Sequence, residues 1–102
     1  MIAIEIRLNG ELKATCGADD LDQLVAIVSA RRSKTEGGPF QCSVECMGVR
    51  PKTQDTEEVL RWMNAHIALG DEVSLRVVEA TEAKEPFDRQ DIAARHERDT
   101  DS

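Results

Sequence analysis

The sequence predicts a single α+β domain followed by a charged tail. Segments whose apolar residues recur at alternate positions are interspersed with segments of helical spacing, in the order β-β-α-β-(short α)-β. A chain of 102 residues is long enough for one hydrophobic core and too short for two. Beyond Ala80 the residues are mostly charged or polar. We therefore expect a compact domain over residues 1–80 and a disordered or marginally helical tail over residues 81–102.

Residues 2–16 are predicted to form a β-hairpin. The apolar side chains of the first strand are Ile2, Ile4, Ile6 and Leu8, and those of the second are Leu12, Ala14 and Cys16. Between the strands, the dipeptide Asn9-Gly10 favours a type I′ turn, because both central positions of that turn need a positive φ.

A helix is expected to follow the hairpin. Asp20 can cap its start while Gln23 completes a capping box, and Arg31 and Arg32 near its other end favour the helix dipole. Its apolar stripe consists of Leu21, Leu24, Val25 and Val28. The glycines and the proline of residues 33–39 then predict a loop.

The rest of the domain is predicted to contain a strand, a short helix and a final strand. The third strand is indicated by the alternating residues Phe40, Cys42, Val44 and Cys46. Asp55 and Glu58 predict the start of a short helix, whose common face carries Val59, Trp62, Met63 and His66. The inward face of the final strand is predicted to consist of Val73, Leu75 and Val77.

This order of elements resembles the β-grasp architecture of ubiquitin-like and sulfur-carrier proteins. The resemblance covers residues 1–80 and depends on the opening hairpin, the helix that follows it and the segment GDEVSLRVVEA, residues 70–80. It implies a sheet in which the first and last strands lie side by side and parallel. Carriers of this kind act through a C-terminal Gly-Gly, whereas this sequence has no glycine after Gly70. The resemblance therefore implies an architecture without the carrier activity.

The charge balance indicates a basic protein as the partner. The chain has 20 acidic and 13 basic residues and a formal net charge of -7. This balance argues against nucleic acid, whose phosphates require clustered Lys and Arg, and no apolar run approaches the ~20 residues of a membrane span. The first residues lack the pattern of a secretory signal, and an odd number of cysteines favours a reducing compartment, so a cytoplasmic location is expected.

The cysteines are interpreted as buried core residues. Structural zinc usually takes cysteine pairs from a tight turn, but Cys42 and Cys46 lie on one predicted strand, roughly 13 Å apart at about 3.3 Å per residue. Cys16 and His66 are the other candidate ligands, and they do not change this interpretation. No enzyme motif occurs in the sequence, so no metal, cofactor or catalytic residue is predicted.

Two acidic clusters define the predicted binding surface. The first consists of Asp19, Asp20 and Asp22, and the second of Asp55, Glu57 and Glu58. Helix capping explains most of these carboxylates, and a patch that faces a basic cleft is the functional hypothesis. Trp62 is expected in the core and becomes a further contact with the partner if its ring is exposed. If Arg31, Arg32 and Lys34 lie at the end opposite the acids, charge is also polarised across the molecule.

The predicted function is that of a non-catalytic protein-binding module. Its general character is similar to that of the small acidic immunity proteins and inhibitors that bacteria make against toxin domains. In such a protein the carboxylates occupy a basic site in place of an anionic substrate. Two alternatives stay open: a ubiquitin-like adaptor or assembly subunit that uses its tail or a sheet edge, and a small metal-binding or cysteine-enzyme domain.

Overall fold

The computed structural model describes residues 1–32 and 40–93 of the chain. These residues form seven β-strands, namely β1 Ile2–Leu8, β2 Glu11–Gly17, β3 Gln23–Arg32, β4 Phe40–Pro51, β5 Thr56–Ile67, β6 Val73–Glu79 and β7 Asp88–Ala93. The described ranges contain no helix, and hence none long and apolar enough to span a membrane. The α+β prediction is therefore wrong, and the fold is all-β.

The strands build two antiparallel sheets that pack against each other. The three-stranded sheet has the order β2-β1-β6, and the four-stranded sheet has the order β3-β4-β5-β7. Residues 80–87 pass from one sheet to the other, and on the way the backbone N of Lys84 donates a hydrogen bond to Thr15 O of β2, at 2.8 Å. Among the described residues, the sheet edges are therefore β2 and β6 in one sheet and β3 and β7 in the other.

The predicted opening hairpin is confirmed. Asn9 and Gly10 have φ values of 53° and 85°, as a type I′ turn requires, and Leu8 lies opposite Glu11. Asn9 also ties this turn to the residue before β6. Its backbone N donates to Glu72 O at 2.8 Å, and its side-chain oxygen accepts from Glu72 N at 2.9 Å. The turn is thus held by its own conformation and by the neighbouring chain.

The first predicted helix is wrong, because its residues form β3. The 10 residues of Gln23–Arg32 pair with β4 in one uninterrupted register. Val25, Ile27 and Val28 are β-branched, and such side chains fit a pleated sheet better than a helix. β3 is an edge strand that carries apolar residues on both faces. Some of these residues therefore also lie three or four positions apart, which is the spacing of an amphipathic helix.

The second predicted helix is also wrong, because its residues belong to β5. Thr53 organises a turn where a helix cap was expected, and its Oγ1 accepts hydrogen bonds from the backbone N of Asp55 (3.2 Å) and of Thr56 (3.1 Å). A register shift between Cys46 and Met47 then interrupts the pairing of β4 with β5. Such a shift breaks the two-residue period of the strand.

The β-grasp prediction is wrong in its strand pairing as well. β6 lies beside β1, as the resemblance implied for the last and first strands, but the two are antiparallel, with Ile4 opposite Val77. The charged segment after Ala80 was predicted to be a tail or a marginal helix. Asp88–Ala93 instead pairs with β5 as strand β7, and residues 94–102 lie outside the described ranges.

The core lies between the two sheets. Its most enclosed side chains come from β1 and β2 on one side and from β4 and β5 on the other: Ile6, Ala14, Cys16, Val44, Cys46, Leu60 and Trp62. Val73 of β6 packs against this cluster. Leu75 and Val77, which were predicted to face inward, are 44% and 70% exposed. The other sheet therefore covers only the beginning of β6.

Candidate functional site

One end of the four-stranded sheet carries a concentration of carboxylates, which we call the acidic end. Antiparallel pairing brings three segments together there: the connection that enters β3, the β4–β5 turn with its flanking residues, and the last part of β7. The acids of these segments are Asp19, Asp20, Asp22, Asp55, Glu57, Glu58 and Asp91, and the cations are Arg50 and Lys52. Both acidic clusters predicted from the sequence thus belong to a single end of the sheet.

Arg50 joins the two predicted clusters. Its Nε and one terminal nitrogen lie 2.7 Å and 2.6 Å from Glu58 Oε1, and its other terminal nitrogen lies 3.4 Å from Asp20 Oδ1. The hydrogen bond to Glu58 raises the pKa of the Arg50 guanidinium, and this effect outweighs that of burial. Glu58 is buried whereas Asp20 is exposed. The Arg50 side chain thus fastens the entry to β3 against the start of β5.

The exposed carboxylates of the acidic end are compensated only in part. Lys52 Nζ lies 3.0 Å from Asp91 in an exposed ion pair that links β4 to β7. Asp19, Asp22 and Asp55 are exposed, and none of them has an ion-pair partner among the residues that the structure describes. No direct ion pair within the described ranges neutralises these three charges, and they make this end of the sheet negative.

Two buried side-chain atoms make no hydrogen bond within residues 1–32 and 40–93, namely Glu57 Oε1 and Trp62 Nε1. Trp62 is 1% exposed and is one of the largest side chains of the core. The expectation that this residue is a core residue is therefore met, and its ring is not presented to a partner. Glu57 stays a member of the acidic end through its position opposite Pro51 and Ile92.

An open cleft of about 630 Å³ lies beside the acidic end. Its walls include the turn at Asp19 and Asp20, the Arg50 side chain and residues 81–86, which connect the two sheets. Arg89 in this cleft is paired with Glu85 at 3.3 Å. The described residues that line the cleft include carboxylates and cations but neither cysteine nor histidine. The cleft thus extends the charged surface and holds no nucleophile paired with a base.

The opposite end of β3 carries cations. Arg31 and Arg32 are exposed there, and the Arg32 guanidinium lies over the Phe40 ring, 4.5 Å from its centre. The exposed His66, near the end of β5, belongs to the same end of the sheet. Arg31 and Arg32 thus meet the condition stated for a polarised charge, and Lys34 lies outside the described residues. Charge is therefore polarised along β3.

The three cysteines are free thiols. Cys16 of β2 and Cys46 of β4 are fully buried in one core cluster between the sheets. Their mutual hydrogen bond, together with burial, raises the pKa of the Cys16 thiol far above its ordinary value, so this thiol has little thiolate character. Cys42 is partly exposed. In the described part of the chain, no group of side chains has the arrangement of a metal site.

Three members of the acidic end, namely Arg50, Lys52 and Asp91, were not predicted from the sequence. Arg50 was given no role in the sequence analysis, and Asp91 was expected in the tail. Both join the site only through strand pairings, β4 with β5 and β5 with β7. The one available signal was the position of Arg50 and Lys52 shortly before the second acidic cluster.

No family model matches the chain, and no curated protein or solved structure matches it either. A function is therefore inferred from the charge and geometry of the acidic end.

Proposed function

We propose that the chain is a non-catalytic protein-binding module whose acidic end binds a basic surface of another protein. The observation that carries this proposal is the double contact of Arg50, which lies 2.6 Å from Glu58 and 3.4 Å from Asp20. This contact holds two acidic segments of the chain on one surface. Among the described residues of that surface, Arg50 and Lys52 are the only cations, and both are engaged by carboxylates.

The acidic end is expected to act first on the rate of association. A negative field attracts and orients a basic partner, and this raises the association rate more than the final affinity. At physiological ionic strength such a field decays over about 8 Å, so added salt slows the encounter. Asp19 and Asp55 contribute most to the field, because they are exposed and lack a compensating ion pair in the described ranges.

The bound state would place these carboxylates against Lys and Arg side chains of the partner. Hydrogen bonds between charged groups are shorter and stronger than neutral ones, so a few such contacts can fix the orientation of the complex. A protein of this kind can occlude a basic active site by occupying the position of its anionic substrate, as small acidic immunity proteins and inhibitors do. The three free thiols favour a reducing compartment for this activity.

The proposal is tested with a panel of purified basic toxin domains. Each domain is immobilised, and association of the full-length chain is followed by surface plasmon resonance at about 50 mM and about 300 mM salt. Asp19→Lys/Asp55→Lys reverses two exposed charges of the acidic end. We expect it to lower the association rate constant by at least about tenfold at the lower salt concentration, because electrostatic steering is lost.

A matched control separates the acidic end from net charge alone. Glu11→Lys/Glu72→Lys produces the same change in net charge at exposed positions outside the acidic end, and we expect it to change the rate by less than about threefold. Binding that both double variants weaken equally, or a panel in which no basic domain binds the wild-type chain, would contradict the proposal.

A further inference from the structure

Strand β3 is the least protected edge of the two sheets. Its residues 24–30 have no charge and no proline, and its register with β4 is uninterrupted. Ile27 and Val28 in the middle of the strand are 41% and 50% exposed. Within the described residues, its outer side has no neighbouring strand, so a row of backbone N–H and C=O groups is open for pairing.

The other three edges carry features that discourage strand pairing. Lys84 donates its backbone N–H to Thr15 O of β2, so the connection between the sheets occupies part of that edge. β7 has the sequence DRQDIA, in which charged and polar residues predominate. β6 has the exposed Arg76 at its centre. Natural proteins use such charges and covering segments to block association of sheet edges, and in the described part of the chain β3 has neither along residues 24–30.

The charges at the two ends of β3 are complementary. Asp22 comes directly before the strand, and its backbone N still donates to Val49 O of β4, at 2.8 Å. Arg31 and Arg32 form the other end of the strand. An identical strand placed antiparallel beside β3 therefore presents its basic end to the acidic end and its acidic end to the basic end.

We propose that β3 pairs with β3 of a second copy of this chain, antiparallel and about a two-fold axis at Ile27. Residues opposite each other in this register have numbers that are symmetric about Ile27. Arg32 then lies opposite Asp22 of the second copy, and the symmetry produces this ion pair twice. The intervening pairs are Arg31 with Gln23, Ala30 with Leu24, Ser29 with Val25 and Val28 with Ala26.

This register satisfies the rules of sheet pairing throughout. Side chains that lie opposite each other in an antiparallel pair share one face of the sheet. Because the two-fold axis passes through a residue, Ile27, the core-facing side chains of both copies lie on the same face of the joined sheet. The central pairs are then apolar on both faces and the outermost pair is oppositely charged, which are favourable cross-strand combinations. The two four-stranded sheets become one continuous sheet across an isologous interface, the arrangement of most two-fold dimers.

β6 offers no self-complementary register along its full length. An axis at its central residue, Arg76, places this arginine against its own copy, and an axis at Leu75 places Asp71 against Glu79. Like charges directly opposite each other are destabilising. The proposed partner of the β3 edge is therefore β3 of a second copy, because the charge pattern of this strand is complementary to its own pattern in antiparallel orientation.

Charge reversal at the ends of β3 tests the proposed register. The molar mass of the full chain is followed by sedimentation equilibrium from about 1 µM to about 500 µM. We expect the wild type to form dimers. Asp22→Arg and Arg32→Asp each create two like-charge contacts and should raise the dissociation constant of the dimer by at least about tenfold. An equimolar mixture of these two single variants should form heterodimers, since one variant is basic at both ends and the other is acidic at both ends.

The same measurement distinguishes this edge from the others. Arg76→Asp makes the same charge change on β6 and should leave the dissociation constant within about threefold of the wild-type value. A wild-type chain that is monomeric over the whole range would overturn the proposal. So would a mixture of Asp22→Arg and Arg32→Asp that stays monomeric, or an Arg76→Asp effect as large as that of Arg32→Asp. The variants at Asp19 and Asp55 leave this interface intact, so dimer formation and partner binding are tested separately.

Discussion

Replacement of Arg50 by methionine tests whether the acidic end is held together as described. The substitution keeps an unbranched side chain but removes the guanidinium that lies 2.6 Å from Glu58 and 3.4 Å from Asp20. The whole Glu58 residue is only 8% exposed, so its carboxylate is then left buried without a cation. We expect Arg50→Met to destabilise the fold more than any substitution of an exposed charge at this end of the sheet.

The expected magnitude follows from the exposure of the two groups. Removing one partner of a buried ion pair costs about 3–5 kcal/mol. The Arg50 and Glu58 side chains are 28% and 11% exposed, so solvent screens part of their interaction. We therefore expect the free energy of unfolding to fall by about 2–3 kcal/mol, which lowers Tm by about 10–20 °C in a domain of this size.

Urea unfolding followed by tryptophan fluorescence measures this loss directly. Trp62 is the only tryptophan and is 1% exposed, so its emission reports the opening of the core. Lys52→Met is the matched control, because its ion pair with Asp91 is exposed and should contribute less than about 0.5 kcal/mol. Arg50→Met/Glu58→Leu should recover most of the loss, since no buried charge is left. Equal effects of Arg50→Met and Lys52→Met would refute this reasoning.

Two further predictions follow from titratable groups away from the acidic end. The hydrogen bond to Glu79 raises the pKa of the Met1 amino group above its ordinary value of 8.0, so the stabilisation is complete below pH 8.0 and is lost as the pH rises through the raised value. The urea midpoint should therefore fall as the pH is raised above 8 in the wild type but much less in Glu79→Gln. In the native chain Ellman's reagent should modify Cys42 and spare Cys16 and Cys46, which are fully buried. Rapid labelling of all three before urea is added would contradict that assignment.

The parts of the fold that were predicted correctly depend on local chemistry. The dipeptide Asn9-Gly10 determines a type I′ turn almost alone, because few other residues accept a positive φ at both positions. β4 and β6 were recognised from their two-residue period. Such features require no knowledge of which strand lies beside which, and they are therefore readable from the sequence.

The two wrong helices show where a periodic pattern fails. The register shift in the pairing of β4 with β5 separates the core residues Leu60 and Trp62 from Ala65 and Ile67, so the apolar spacing changes from two residues to three at Trp62. A spacing of three or four residues is the signature of a helix. The shift itself depends on the partner strand, which the sequence does not identify. β7 was missed because its sequence, DRQDIA, has no alternating apolar residues. Its pairing with β5 is supported instead by ion pairs such as that of Arg61 with Asp88, at 3.1 Å.

Six of the acidic residues of the candidate site were predicted from the sequence, but the contacts that bring them together were not. Asp20 and Asp55 were interpreted as helix caps, since each precedes a Glu or Gln at the spacing of a capping box. In the structure Asp20 instead contacts Arg50, and the Thr53 side chain organises the turn at Asp55. The union of the two clusters depends on β4, which pairs with β3 on one side and with β5 on the other. Contacts of this kind arise from topology and cannot be found by local spacing.

Chemical-shift mapping tests the central claim most directly. The ¹⁵N-labelled full-length chain is titrated with the basic toxin domain that associates fastest in the panel, and backbone amide shifts are followed through the titration. Binding through the acidic end predicts that the largest changes map to residues 19–22, 50–58 and 91. Changes concentrated on the β1–β2 turn or on β6, with the acidic end unperturbed, would contradict the account.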